Sequence, residues 1–151
     1  MTSDSGATRQ DTDYARHIQE VLHELHQLQQ TPRLVTSPDD LEALEREIRH
    51  RTDRLGSLLV GHHLQQALDS AALQAEQERL VRQWPKPLKN DGRVKVGIRT
   101  AQGHTVPVWV TYYRRKGQRR AGKRDAGVYA GLVVLGIYDC CPPALAAEVS
   151  L

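Results

Sequence analysis

The stretch that most restricts how this chain can fold runs from Arg93 to Tyr113, RVKVGIRTAQGHTVPVWVTYY. Two alternating runs flank Ala101-Gln102-Gly103-His104, a polar connection with one glycine, and the pattern predicts a β-hairpin. Side chains on a strand alternate between its faces. Val94, Val96 and Ile98 therefore share one apolar surface with Val106, Val108, Val110 and Tyr112. A lone two-stranded hairpin is marginal in water, so that surface needs a cover from elsewhere in the chain. The opposite face carries Arg93, Lys95 and Arg99 beside Trp109, Thr111 and Tyr113. Cations among aromatics suit contact with nucleic acid. Basic residues on the wet side of a hairpin also serve solubility and edge protection alone.

Helical periodicity dominates the chain before the hairpin. Residues 1–10 are polar and are expected to form a disordered tail. From Asp11, a candidate cap, Tyr14, Ile18, Val21, Leu22, Leu25 and Leu28 recur at helical spacing until Thr31-Pro32 ends the run. Ser37-Pro38-Asp39-Asp40 marks the next start, with a serine cap, a first-turn proline and acids at the positive end of the dipole. Leu41, Leu44, Ile48, Leu55, Leu58 and Leu59 continue as one stripe. Gly56 and Gly61 interrupt it and imply a kink or a close helix contact. Asp69-Ser70 either breaks this helix or caps a third, carrying Leu73, Leu80, Val81 and Trp84. Residues 11–85 thus read as an antiparallel helical arm, which is also a candidate surface for a homodimer. Lys86 to Gly92 reads as a turn-rich linker into the basic block 86–126. In residues 127–151 the run Val128 to Tyr138 is apolar throughout, helix or buried strand, with a short helix favoured. Pro142-Pro143 opens a helix from Ala144, which the chain's end at Leu151 cuts short in this reading. The fold class is α+β: an N-terminal helical arm, a basic two-stranded hairpin and a short C-terminal helical segment.

Charge divides along the same boundaries. Residues 1–85 hold 14 acids and 9 Lys/Arg (−5), residues 86–125 hold 12 Lys/Arg and 2 acids (+10), and the last 26 hold 2 acids (−2). Within the middle block, Arg114, Arg115, Lys116, Arg119, Arg120, Lys123 and Arg124 follow the second strand with no acid among them. Such a run repels itself and is relieved by phosphates, whose binding releases counterions and weakens with salt. It is equally the composition of a solvated basic loop.

Other chemistry finds little support. No apolar run approaches membrane-spanning length, and the polar start lacks the layout of a secretion signal. Two adjacent cysteines, Cys140 and Cys141, are not a disulfide framework, and a reducing cytoplasm is expected. His23 with His26, and His62 beside His63, lack the spacing of a structural zinc site. No phosphate-binding glycine loop, nucleophile elbow or HExxH occurs. Asp91, Asp125, Asp139 and Glu148 form no pattern fit for two-metal catalysis. The expectation is a non-enzymatic chain with no cofactor, metal, membrane partner or small-molecule substrate.

The order of pieces resembles the N-terminal region of bacterial insertion-sequence transposases of the DDE type. The resemblance rests on Val94–Arg99, Val106–Tyr113 with its Tyr-Tyr-Arg ending, Gly127-Val128-Tyr129, Leu135-Gly136-Ile137 and Cys141-Pro142-Pro143-Ala144-Leu145-Ala146. Upstream, Leu55-Gly56-Ser57-Leu58-Leu59 followed by Leu64 and Leu68 is similar to that family's leading helices. The resemblance spans roughly residues 40–151. The cysteines of the zinc ribbon that many relatives carry are missing here. The family's three catalytic acids belong to a later domain that these residues do not reach. The resemblance therefore implies a truncated copy that associates with DNA without cutting or joining it. In that reading Arg93, Lys95 and Arg99 meet backbone phosphates, Trp109 and Tyr113 stack on sugar or base, and the loop cations supply a non-specific grip. Two alternatives stand beside it: a helical self-association module, and a reader of single-stranded RNA.

Overall fold

The computed structural model describes residues 5–116 and 127–138. Its elements are α1 (Ser5–Gln30), α2 (Pro38–Asp69), α3 (Ala71–Gln83), β1 (Leu88–Arg99), β2 (Thr105–Arg115) and α4 (Ala130–Val134). The fold is α+β, with helices packed on one two-stranded antiparallel sheet. The expected helix over 144–151, the cysteine pair and loop residues Arg119, Arg120, Lys123 and Arg124 lie outside the described residues.

The helix α1 begins at Ser5, ahead of the cap expected at Asp11 and within the segment read as a disordered tail. No proline falls between Ser5 and Gln30, so nothing in the backbone forbids the earlier start. The cap of α2 forms as its sequence dictates. Ser37 Oγ accepts from Asp40 N–H at 3.1 Å, and Asp40 Oδ2 accepts from Thr36 N–H at 3.1 Å and its hydroxyl at 3.2 Å. The Thr36 backbone hydrogen bond is the chief cause holding the Asp40 carboxyl below its ordinary pKa.

Ser70 resolves the choice between a break and a cap by doing both. Its N–H and hydroxyl donate to Ala67 C=O at the end of α2, and its Oγ accepts from Leu73 N–H at 3.2 Å to start α3. α1 and α2 run antiparallel, since partners pair in opposite order: Glu24 with Arg51 at 3.5 Å, then Arg33 with Glu47 at 2.5 Å.

The glycines of α2 mark close contacts, and the helix runs unbroken through both. A Cβ at Gly61 would lie 2.7 Å from the Tyr14 ring of α1. One at Gly56 would meet only the Gln102 side chain, at 3.2 Å. The buried line of α2 is Ser57, Gly61, Gln65 and Leu68, while Leu59, read as part of the buried stripe, is exposed.

In the hairpin, Val94 faces Val110, Val96 faces Val108 and Ile98 faces Val106. These six pack against Tyr14, Leu68, Leu73, Leu132 and Ile137, so the arm and the segment after Gly127 together supply the cover the hairpin requires. The turn closes with Thr100 N–H donating to His104 C=O and Gly103 N–H to Thr100 C=O, both at 2.9 Å. Gly103, at φ +91°, takes the left-handed position.

β1 starts at Leu88, so the second half of the expected linker is strand. An irregularity between Asn90 and Arg93 lets it continue: Gly92 adopts φ +91°, and Asn90 Oδ1 accepts from Gly92 N–H at 2.8 Å. The apolar run after Gly127 contains one short helix, α4. Val128 precedes it and bridges to Tyr113 of β2. A second cluster there joins Leu88, Tyr113 and Ala130 with Leu80, Val81, Trp84 and Val128.

The outward edge of β2 is covered at Pro107, Trp109 and Tyr113. Tyr14 O–H donates to Pro107 C=O. Gln65 accepts from Trp109 N–H at 2.7 Å and donates to Trp109 C=O at 3.1 Å, and Tyr113 exchanges both backbone hydrogen bonds with Val128. Pro107 itself has no N–H to leave unpaired, as suits an edge strand.

Candidate nucleic-acid interface

The register places Arg93 opposite Thr111, Lys95 opposite Trp109 and Arg99 opposite Thr105, on the hairpin face turned away from the core. Lys95 and Arg99 are exposed there and Trp109 is half-buried between them and the arm. Neither cation has a hydrogen-bond or ion-pair partner among the described residues. Lys95 and Arg99 stand about 13 Å apart by strand rise. The Trp109 backbone is clamped to the Gln65 side chain.

The remaining expected contacts fall into different environments. Arg93 donates to Asp69 Oδ1 at 2.6 Å and to Trp109 C=O at 3.1 Å. It joins the hairpin to the C-terminal end of α2, where a cation also meets the negative end of the helix dipole. Its first role is therefore a structural tie. Arg114 is half-buried with Asp91 at 3.8 Å, Arg115 is half-buried, and Lys116 is exposed at the end of β2.

Tyr113 is a correction. Alternation puts it on the wet face with Trp109, yet it is 7% exposed, packed in the second apolar cluster, and its hydroxyl accepts from Gln77 Nε2 at 3.2 Å. The irregularity near Asn90 puts its extra residue in β1, and Tyr113 is buried because Leu80, Val81, Trp84 and Leu88 cover this end of β2. Burial raises the Tyr113 phenol pKa. Tyr112, expected on the apolar face, is half-buried with its ring 5.3 Å from that of Tyr129.

Beside the hairpin's outer face lies a cleft of about 360 Å³ between α1, α2 and the hairpin. Lys95 belongs to both surfaces, and Asp13, His17, Arg54, His104 and Thr105 also line the cleft. Sequence reasoning missed Arg54, His17 and His104. They are scattered over three elements, and no spacing rule joins residues that only tertiary packing brings together.

Among the described residues, no group of three or more His, Cys, Asp or Glu could hold a metal ion. His62 and His63 lie edge to face, 5.4 Å between ring centres. No described helix is long and apolar enough to cross a membrane. Compared with known protein families, curated proteins and solved structures, the chain matches none.

Proposed function

We propose that this protein binds nucleic acid, duplex DNA first of all, through the outer face of its β-hairpin and the basic run that continues it. The observation that carries the reading is the concentration of charge, +10 over residues 86–125 against −5 over residues 1–85. Exposed Lys95, Arg99 and Lys116 stand at the described part of that block. Polyanions meet such a surface by counterion release. With the resemblance in the order of its pieces, the role is that of the DNA-associated, non-catalytic N-terminal part of an insertion-sequence transposase, working in the cytoplasm.

Replacing Arg119, Arg120, Lys123 and Arg124 together by glutamine is expected to weaken binding to all duplex sequences. It should also flatten the log–log dependence on salt, by a slope of about one for each phosphate left unneutralised. Unchanged affinity and slope in a gel-shift series at several salt concentrations would overturn the loop's part. Stronger competition by single-stranded RNA than by duplex DNA at fixed salt would move the assignment to RNA.

One observation favours a second reading, self-association through the arm. Leu22, Leu41 and Ile48 are exposed on α1 and α2, and Leu34 and Val35 on the connection between them. Sedimentation of the full chain beside an Ile48→Glu variant decides it: a wild-type dimer that the variant dissolves supports self-association, and a wild-type monomer removes it.

A further inference from the structure

We propose that the cleft between α1, α2 and the hairpin is a phosphate site, which takes a backbone phosphate of a polynucleotide strand running on from the hairpin's outer face. The proposal rests on the nucleic-acid reading above and gives it a second anchor outside the basic block.

The cleft collects donors that lack acceptors. Arg16, Arg33, Arg46, Arg49 and Arg51 of the arm each stand within ion-pair distance of an arm carboxylate. Arg54, half-buried one turn further along α2, has no hydrogen-bond or ion-pair partner among the described residues. An unpaired guanidinium lining the cleft is open to an incoming oxyanion, which its planar fork can grip at two oxygens. His17 also lines the cleft, with its Nδ1 turned away from solvent and 3.5 Å from the Glu20 carboxylate. Lys95 brings an unpaired ammonium from the hairpin, and His104 an imidazole held edge-on to His50 at 5.7 Å. The one lining acid, Asp13, faces Arg16 at 3.7 Å.

This chemistry selects the ligand. Guanidinium, ammonium and imidazole N–H groups converging on one space suit the several oxygens of a phosphate, with the Arg fork reading two at once. They repel a metal cation. The volume, about 360 Å³, lies within the range of small-ligand sites and holds a phosphate with its sugar. Lys95 fixes the path, because it faces Trp109 across the sheet and also lines the cleft. A strand lying on the hairpin's outer face therefore enters the cleft without leaving its cations.

The test uses the full chain, with Arg54→Gln and, as an exposed strand position that leaves the core untouched, Lys95→Gln. Binding of a fluorescent oligonucleotide is measured against salt, and the His17 and His104 ring signals are followed by NMR during titration with that oligonucleotide and, separately, with pyrophosphate. Each substitution is expected to lower oligonucleotide affinity about five-fold at low salt and to reduce the salt slope by about one. The two ring signals should move with oligonucleotide in the wild type. Equal binding by Arg54→Gln with unmoved histidines overturns the cleft site and leaves the hairpin reading, which Lys95→Gln tests on its own, standing. If the wild type ignores the oligonucleotide, the nucleic-acid reading falls. Movement with pyrophosphate alone then reassigns the cleft to a free anion, which overturns the proposal as stated.

Discussion

The side-chain amide of Gln65 satisfies both backbone groups of Trp109, in a position that is 1% exposed. Replacing it by alanine strips Trp109 N–H of its acceptor in a place water does not reach, and chemical denaturation should show a loss of about 1–3 kcal/mol. The two glycines of α2 separate in sign. At Gly61 an added Cβ meets a packed tyrosine ring, so Gly61→Ala is expected to cost about 1–3 kcal/mol by overpacking. At Gly56 it meets the end of a flexible glutamine, so Gly56→Ala should be neutral or stabilise by up to about 1 kcal/mol through helix propensity. Equal denaturation midpoints for the two variants would refute this account. Of the kink or close helix contact expected at Gly56 and Gly61, the contact is found at Gly61, against α1, while Gly56 lies against Gln102 of the hairpin turn. That Gln65 turns inward was not legible, since a glutamine on a helix is ordinarily solvated and only the neighbouring strand edge makes it a core residue.

Among the elements, the hairpin was the most readable. The alternation from Val94 to Ile98 and from Val106 to Val110 dictates the buried face, and the observed register sets these six residues opposite one another on it. Alternation misleads further along the strand, at Tyr113, because it assumes one face stays wet and the second apolar cluster covers that end of β2. The Asn-Asp-Gly triplet is visible in the sequence and reads as a linker; a glycine inside a strand pattern equally signals a bulge. The leucine stripe of α2 misleads in a similar way. The buried line is Ser57, Gly61, Gln65 and Leu68: Ser57 bonds the Thr100 hydroxyl, Gly61 makes room for the Tyr14 ring and Gln65 meets the strand edge at Trp109, tasks that leucine cannot perform. Ser70, which closes α2 and opens α3, ties two elements to one hydroxyl. Ser70→Ala should cost about 1 kcal/mol and Ser70→Gly only a few tenths, measured by thermal unfolding.

For the molecule as a whole, two buried phenols set its behaviour in alkali. Burial pushes the Tyr14 pKa up to about 12 from 10.0, and raises that of Tyr113 as well. Below pH 10 both folded and unfolded chains keep the Tyr14 proton, and its contribution is constant. As pH rises from 10.0 to about 12, the unfolded chain releases the proton while the fold retains it, so stability falls across that window. Tyr14→Phe should make the decline shallower in pH-dependent denaturation, while lowering stability at neutral pH through loss of the bond to Pro107.

The cover along β2 has a consequence beyond stability. At Pro107, Trp109 and Tyr113 its outward groups are engaged by Tyr14, Gln65 and Val128, which obstructs the addition of a further strand there while α1 and α2 stay seated. The arm thus polices the seam of its own sheet. Molecules in which it lifts away would bare Pro107 and Trp109 as a second open edge beside that of β1.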